Sequence, residues 1–273
     1  MIQDIYPHKL DNQYSSARAP QDDDKVFCFY NGELLLKEEN GFDLPQVKDF
    51  EEEELQYLFS IDEEPYYLAK GSEEMEKEGF SYTNIRSFTD RIKNADPIVY
   101  GSFTAKHLMD WYRDNQFCGR CGHKMNHSDR ERAMVCPDCG YTSYPRIMPA
   151  VIVGVTKGDE ILITKYRTGF RHHALIAGFT EIGETLEETV AREVMEEAGV
   201  KVKNIRYYKS QPWGTANDIL IGYYCDVDGD PTIHMDDNEL GYAEWTKRED
   251  IILQPNRLSL TNEMMMMFKE GKI

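Results

Sequence analysis

The chain has 273 residues, with 31 Lys+Arg against 49 Asp+Glu, a formal net charge of −18, 41% hydrophobic and 12% aromatic residues. This composition suits a folded chain of roughly two domains and not a disordered acidic tail. The charge works against non-specific nucleic-acid binding, which needs a basic footprint, but leaves room for an anionic substrate screened by a divalent cation. The longest useful apolar stretch, Ile147–Val155, is far short of the ~20 residues that span a bilayer. Met1-Ile2-Gln3-Asp4 shows neither the basic nor the apolar region of a signal peptide. A cytoplasmic location, away from any membrane, is the expectation.

Three segments differ in character. Residues 1–112 are acidic, with charge runs at Gln21–Asp24 and Glu51–Glu54 that read as solvated faces. Strand-like pieces occur at Lys25–Tyr30, Glu33–Lys37, Leu55–Ser60 and Tyr66–Ala69. Ser102–Asn115 carries Phe103, His107, Leu108, Trp111 and Tyr112 at helical spacing. Residues 113–145 hold paired cysteines among Gly, Asn, Asp and Pro, as turns braced by a metal would. From residue 146 to 273 the pattern becomes α/β. Pro149–Val155 and Ile161–Lys165 read as a strand pair with a Gly158-Asp159 turn, followed by a helix at Leu186–Ala198. Strands near Ile205–Gln211, Ile219–Asp226 and Gly241–Thr246 lead to a last helix near Leu258–Lys269, where Met264–Met267 read as packing residues.

Cys118, Cys121, Cys136 and Cys139 form a C-x2-C, fourteen residues, C-x2-C pattern. Two residues between cysteines let one tight turn aim both sulfurs at a single ion, and two such turns complete a tetrahedron. With all four positions filled, the reading is one structural Zn²⁺ per chain. Two disulfides suit a reducing compartment poorly, while iron also accepts sulfur tetrahedra. His123 and His127 are not needed as ligands. Cys28 and Cys225 stand alone and read as small buried residues.

The stretch Gly178 to Val200 has helix signals at both ends. Thr185 and Glu188 form a T-x-x-E capping box, and Gly199 can end the helix left-handed. Within it Glu193, Glu196 and Glu197 fall in an arc of about 100°. Glu193 and Glu197 are like charges at i,i+4, which weakens a helix by a few tenths of a kcal/mol, roughly. A divalent cation is the simplest compensation, because Mg²⁺ favours carboxylate oxygens and completes its shell with water and phosphate. Arg192 is placed to hold a carboxylate in orientation. An ordinary solvated acidic helix accounts for Glu187 and Glu188. It does not account for the glycine-containing approach together with Glu184, Arg192 and the three later glutamates.

Gly178, Glu184, Arg192, Glu193, Val194, Glu196, Glu197, Gly199 and Val200 fill every defined position of the motif G-x5-E-x7-R-E-U-x-E-E-x-G-U, with U aliphatic. The stretch resembles the Nudix box. The order of segments resembles the NADH pyrophosphatase (NAD diphosphatase) family: an amino-terminal α+β domain, 1–112; a four-cysteine zinc ribbon, 113–145; and a Nudix domain, 146–273, with a mixed sheet between helices. Tyr144-Pro145-Arg146-Ile147 and Ser210-Gln211-Pro212-Trp213 look like that family's junction and the start of its specificity motif.

The resemblance implies Mg²⁺ or Mn²⁺ held by the Ala177 carbonyl, Glu193, Glu197 and Glu239. It assigns Glu184, Arg192 and Glu196 to the catalytic group, and Tyr144, Phe179, Gln211 and Trp213 to the dinucleotide. Tyr144 would come from the partner subunit of a homodimer. The family continues its specificity motif with Pro-Phe-Pro-x-Ser, whereas Gly214-Thr215-Ala216-Asn217-Asp218 follows here. That departure bears on the preference for NADH more than on the hydrolase chemistry. The expected reaction is hydrolysis of NAD(H) to nicotinamide mononucleotide and AMP, with Glu196, Glu197 or Glu239 as base. Alternatives are the same chemistry on ADP-ribose, a dinucleoside polyphosphate or NAD-capped RNA, and a non-catalytic nucleotide sensor. His172 and His173 read as surface loop residues.

Overall fold

The computed structural model describes residues 1–14, 18–39, 41–51, 55–70, 74–92 and 94–273; of the Glu51–Glu54 run, residues 52–54 lie outside the described residues. The carboxy-terminal half is built on a six-stranded mixed sheet. Strand Met148–Lys157 runs parallel to Asp218–Val227 and antiparallel to Glu160–Tyr166 and Ile176–Phe179. Val202–Trp213 and Leu240–Lys247 close the two edges in antiparallel register. Both faces of the central strand are buried. Val151, Val153 and Val155 pack with Val190, Val194 and Ala198 of helix Leu186–Ala198. Ile152 packs on the opposite side with Leu260, Met264, Met265 and Phe268 of helix Leu260–Lys269. Burial of a valine of this kind contributes about 1.5–3 kcal/mol as an upper bound.

The glutamate helix begins and ends where its residues dictate. Thr185 accepts from the Glu188 amide at 3.2 Å, and Glu188 reaches back to the Thr185 amide at 2.8 Å. Gly199 ends the helix at φ 69°, a left-handed conformation that costs glycine little. The expected helix Ser102–Asn115 is longer, Pro97–Asp114, because Asp96 caps it through the Ile98 and Val99 amides and Pro97 occupies its first turn.

Residues 25–69 form the expected strands Lys25–Phe27, Phe29–Tyr30, Glu33–Glu38, Leu55–Ile61 and Glu64–Ala69. They pack on the helix Pro97–Asp114 through Phe27, Leu34, Leu58, Phe59, Val99 and Phe103. This core also takes in Leu258 and Trp213 of the carboxy-terminal half, and Ile2 of the extreme amino-terminus. The Ile2 amide donates to the Leu258 carbonyl at 2.9 Å. A change of composition near residue 112 is therefore not a gap in packing: the first residues of the chain are built into the last half.

Between the halves, three short strands, Asn126–His127, Met134–Val135 and Thr142–Ser143, form a small antiparallel sheet. Among the described residues no helix is long and apolar enough to cross a membrane.

Candidate functional site

The two cysteine turns close by the same device. Gly122 donates to the Cys118 carbonyl at 2.8 Å and Gly140 to the Cys136 carbonyl at 3.1 Å. Each turn thereby presents two sulfurs to the other. Sγ–Sγ distances are 3.6 Å for Cys118–Cys139 and 3.4 Å for both Cys121–Cys136 and Cys121–Cys139. Four thiols this close, with no room for water among them, suit a tetrahedral ion. His123 faces Asp138 at 3.5 Å instead of joining the four sulfurs, although Cys121, His123 and Asp138 also lie within 4.8 Å of one another. Cys28 and Cys225 are buried, and burial pushes the Cys225 thiol up to about 12.

At the glutamate helix, Arg192 organises the carboxylates. Its Nε donates to Glu184 Oε1 at 2.6 Å, and its Nη2 to Glu184 Oε2 and the Phe179 carbonyl at 3.0 and 2.9 Å. Its Nη1 reaches Glu193 at 2.7 Å and Glu196 at 2.9 Å. The Arg192 bond, reinforced by the Glu181 amide and the Thr189 hydroxyl, holds the Glu184 carboxyl down to about 2. Glu184 is thus a fixed anion that ties the loop to the helix.

Glu193 and Glu197 lie one turn further in. Both are buried, Glu197 to 2% exposure. A Cβ on Gly178 would fall on the Glu193 carboxyl group, so the glycine is what lets this side chain lie against the strand. Burial raises the Glu193 carboxyl against the pull of Arg192. Burial, then the Glu193 and Glu239 charges, push Glu197 up to about 8, and the nearby Ala177 amide only partly opposes them. Among the described residues neither Glu197 oxygen has a hydrogen-bond partner of normal geometry. A buried carboxylate with both oxygens unmatched costs free energy unless it is protonated or meets a cation. The donor set is hard oxygen, which suits Mg²⁺ or Mn²⁺. Among the described residues these carboxylates are not gathered within 4.8 Å as the cysteines are.

Glu239 stands on the turn before strand Leu240–Lys247, exposed, with its charge in reach of Glu193 and Glu197. The antiparallel pairing Tyr166↔Leu240 brings it there, and the Arg167 amide fixes its carbonyl at 2.9 Å. Glu196 is exposed and held by Arg192. Tyr166 is a neighbour that sequence reasoning missed. Burial and then the charges of Glu197, Glu239 and Glu193 raise its phenol. Only the strand register, which no local pattern announces, places it beside them.

The aromatic positions separate into two groups. Phe179 is half-exposed at the strand end beside Gly178, and Tyr144 is half-exposed with its hydroxyl donating to Glu131 at 3.0 Å. Gln211 and Trp213, expected at the dinucleotide, are turned elsewhere. Gln211 is fully buried, donating to Gln3 and Leu258 at 3.1 and 2.7 Å and accepting from the Leu260 amide at 2.7 Å. Its amide is consumed in fastening the amino-terminus to the last helix. Trp213 packs against Phe103 with ring centroids 5.2 Å apart, inside the core of the amino-terminal half. The altered segment after it has a matching cause. A Cβ on Gly214 would collide with the Phe103 carbonyl, so this loop lies flat on the helix Pro97–Asp114.

Comparison with known proteins finds two family models that match segments of the chain. The family model of the NUDIX domain matches residues 146–266, and that of the NADH pyrophosphatase zinc ribbon domain matches residues 113–144. An NAD-capped RNA hydrolase NudC of Klebsiella pneumoniae (strain 342) is 45% identical over 152 residues, covering 54% of this chain and 58% of that protein. The protein of the same name from Escherichia coli O1:K1 / APEC is 43% identical over 151 residues, with the same coverage of 54% and 58%. The chain thus spans somewhat over half the length of the curated relatives it matches. A NUDIX hydrolase of Nitrosomonas europaea shares the fold, with a TM-score of 0.51 at 20% identity, covering 57% of this chain and 92% of that one. The cysteine tetrad thus lies within the segment that matches the NADH pyrophosphatase zinc ribbon domain, where the four cysteines form a zinc site, and the glutamate helix lies within the segment that matches the NUDIX domain.

Proposed function

We propose that the chain hydrolyses the diphosphate of NAD(H) to nicotinamide mononucleotide and AMP. The observation that carries this reading is the Glu197 carboxylate, buried with both oxygens unmatched beside Glu193 and within reach of the Glu239 charge. Glu193, Glu197, Glu239 and the Ala177 carbonyl would hold Mg²⁺ or Mn²⁺. Such an ion neutralises diphosphate charge and makes water more acidic. Arg192 keeps Glu193 and Glu196 oriented through its two Nη1 contacts, with Glu184 as its anchor. Of the carboxylates that could take the proton of the attacking water, Glu196 is tied to Arg192 and Glu197 is buried. Glu239 is exposed and lies outside the contacts of Arg192, and we assign the base to it.

Phe179 and Tyr144 offer aromatic faces for the two ring systems of a dinucleotide. Tyr144, Ile147, Met148 and Phe179 are 54%, 60%, 41% and 50% exposed. Ala150 pairs with Phe179, so Met148, two residues earlier, points to the same face. This apolar edge supports a homodimer that lends Tyr144 to its partner. Residues 113–145 would act as the joint between residues 1–112 and 146–273, in the cytoplasm, where thiols stay reduced for zinc.

The relatives, NAD-capped RNA hydrolases by name, favour a second reading, removal of NAD from capped RNA ends by the same site. The test is chromatography of products from NADH, NAD⁺, ADP-ribose and NAD-capped RNA with Mg²⁺ or Mn²⁺. Nicotinamide mononucleotide and AMP from NADH are expected. Cleavage of ADP-ribose alone would overturn the substrate, and dinucleotide binding without turnover would overturn the enzyme in favour of a sensor.

A further inference from the structure

From Ile161 to Thr180 the chain carries no Asp or Glu, in a protein of net charge −18. That stretch holds Lys165, Arg167 and Arg171, and none of the three makes an ion pair among the described residues. The loop they frame, residues 167–173, is fastened at both ends. Thr164 and Ala174 exchange backbone hydrogen bonds of 2.9 and 2.8 Å across its base. The Arg167 amide donates to the Glu239 carbonyl at 2.9 Å and its guanidinium to the Asp237 carbonyl, so it meets this acidic turn through backbone and not through a carboxylate. At the other end His173 stacks on Tyr242, ring centroids 5.9 Å apart, and Gln254 donates to the His173 carbonyl at 3.0 Å. Lys165 Nζ lies 5.5 Å from the centre of the same Tyr242 ring. Burial first, then the Lys165 charge, lowers the His173 imidazole, so His173 is a neutral flank and not a cation. Glu244, the acid beside them on strand Leu240–Lys247, is taken by the Tyr242 hydroxyl.

Strand alternation sorts these groups by face. Ile161 and Ile163 pack with Leu260 and Phe268 of the last helix, and Lys165 follows two residues on. Ala177 and Tyr242 join the same cluster, so Phe179, two residues beyond Ala177, shares that face. Tyr166 packs on the opposite side, with Val190 and Val194 of the glutamate helix. A nucleoside resting on Phe179 thus has Lys165 on its own side of the sheet and the glutamate helix on the other. The diphosphate is the group that a metal at the glutamates takes, which leaves the loop cations for a phosphate elsewhere on the nucleoside. Guanidinium and ammonium groups without acid partners suit that anion.

We propose that Lys165, Arg167 and Arg171 form a subsite for an additional phosphate on the substrate's ribose, outside the diphosphate, which makes them specificity-determining residues. The placement of the nucleoside at Phe179 rests on the hydrolase reading. A 2′-phosphate, as in NADP(H), and the 3′-phosphodiester that continues a dinucleotide into an RNA chain offer the same chemistry. The test is calorimetric titration of AMP, adenosine 2′,5′-bisphosphate and adenosine 3′,5′-bisphosphate into the full chain, with zinc in place and Mg²⁺ present. None of the three carries a diphosphate, so none is turned over, and NADH turnover measured alongside judges the hydrolase reading by itself. At least one bisphosphate should bind about tenfold more tightly than AMP. An advantage at the 2′ position points to NADP(H), and one at the 3′ position to an RNA chain. Arg171→Glu, at an exposed position, should cancel that advantage with the unfolding midpoint unchanged, and Lys165→Glu should cancel it too. Bisphosphates that bind no better than AMP, or an advantage that both charge reversals leave intact, would overturn the proposal.

Discussion

The cysteine cluster closes on itself, four sulfurs within 4.8 Å of one another on two short turns whose own backbone hydrogen bonds complete each loop. The glutamate cluster is assembled from a helix, a strand end and a distant turn, and it leaves Glu197 with two buried oxygens that have no hydrogen-bond partner of normal geometry among the described residues. Both are anionic and both call for a cation. The difference teaches what each cation is for: a site filled by its own ligands braces the fold, while one with unmatched oxygen beside an exposed carboxylate keeps room for chemistry.

The largest effect that would break this comparison is Cys136→Ser. Structural zinc in small peptides binds with about 10–16 kcal/mol, so loss of one ligand should release zinc and lower the unfolding midpoint of the whole protein. The ribbon packs through Trp111 onto the helix that carries Phe103. Metal analysis and thermal unfolding check it. Glu197→Gln should do the reverse. It should cut the turnover number by about 10²–10⁴-fold yet stabilise the metal-free protein by about 1–3 kcal/mol, since a carboxyl that must take up a proton to be buried is replaced by a neutral amide. A variant that is both inactive and less stable would contradict the assignment.

Gly178→Ala sharpens the same point through geometry alone. Its methyl group would displace the Glu193 carboxyl, and a misplacement of about 1 Å can cost about 10²-fold in rate. Zinc content should be untouched.

The smallest expected effect is on pH dependence. Glu197 ionises near 4.5 unfolded and at about 8 folded, so the folded state binds the extra proton between those values. Stability of the metal-free protein should therefore fall as pH rises through that window and level off above it. Asp218, buried with one unmatched oxygen and pushed up to about 7 by its burial, adds to the fall between about 4 and 7. Denaturant titrations from pH 5 to 9 should show the slope, flatter in Glu197→Gln and flatter again in Asp218→Asn.

The parts of the molecule legible in the sequence are those fixed by local chemistry. The C-x2-C turns, the T-x-x-E cap at Thr185 and the Gly199 stop act over a few residues, and the helix Leu186–Ala198 begins and ends where they place it. The Met264–Met267 stretch proved half core, with Met264 and Met265 fully buried under the sheet. What sequence could not display was register and docking. The strand Ile176–Phe179, four residues long, is defined by pairing with Met148–Lys157 and has no pattern of its own. Gln211 and Trp213 sit in a motif that points to substrate, but the amino-terminal half claims both. That depends on Gln3, Phe103 and Leu258, far away in the chain.

The central claim is that the carboxylates of the glutamate helix are built to hold a divalent cation, and direct cation titration addresses it without any substrate. Mn²⁺ titrated calorimetrically at pH 7 into the wild-type chain and into Glu197→Gln, both with zinc intact, should bind the wild type with release of a proton. The variant should bind it at least tenfold more weakly and without that proton. Equal Mn²⁺ binding by the two proteins would contradict the account.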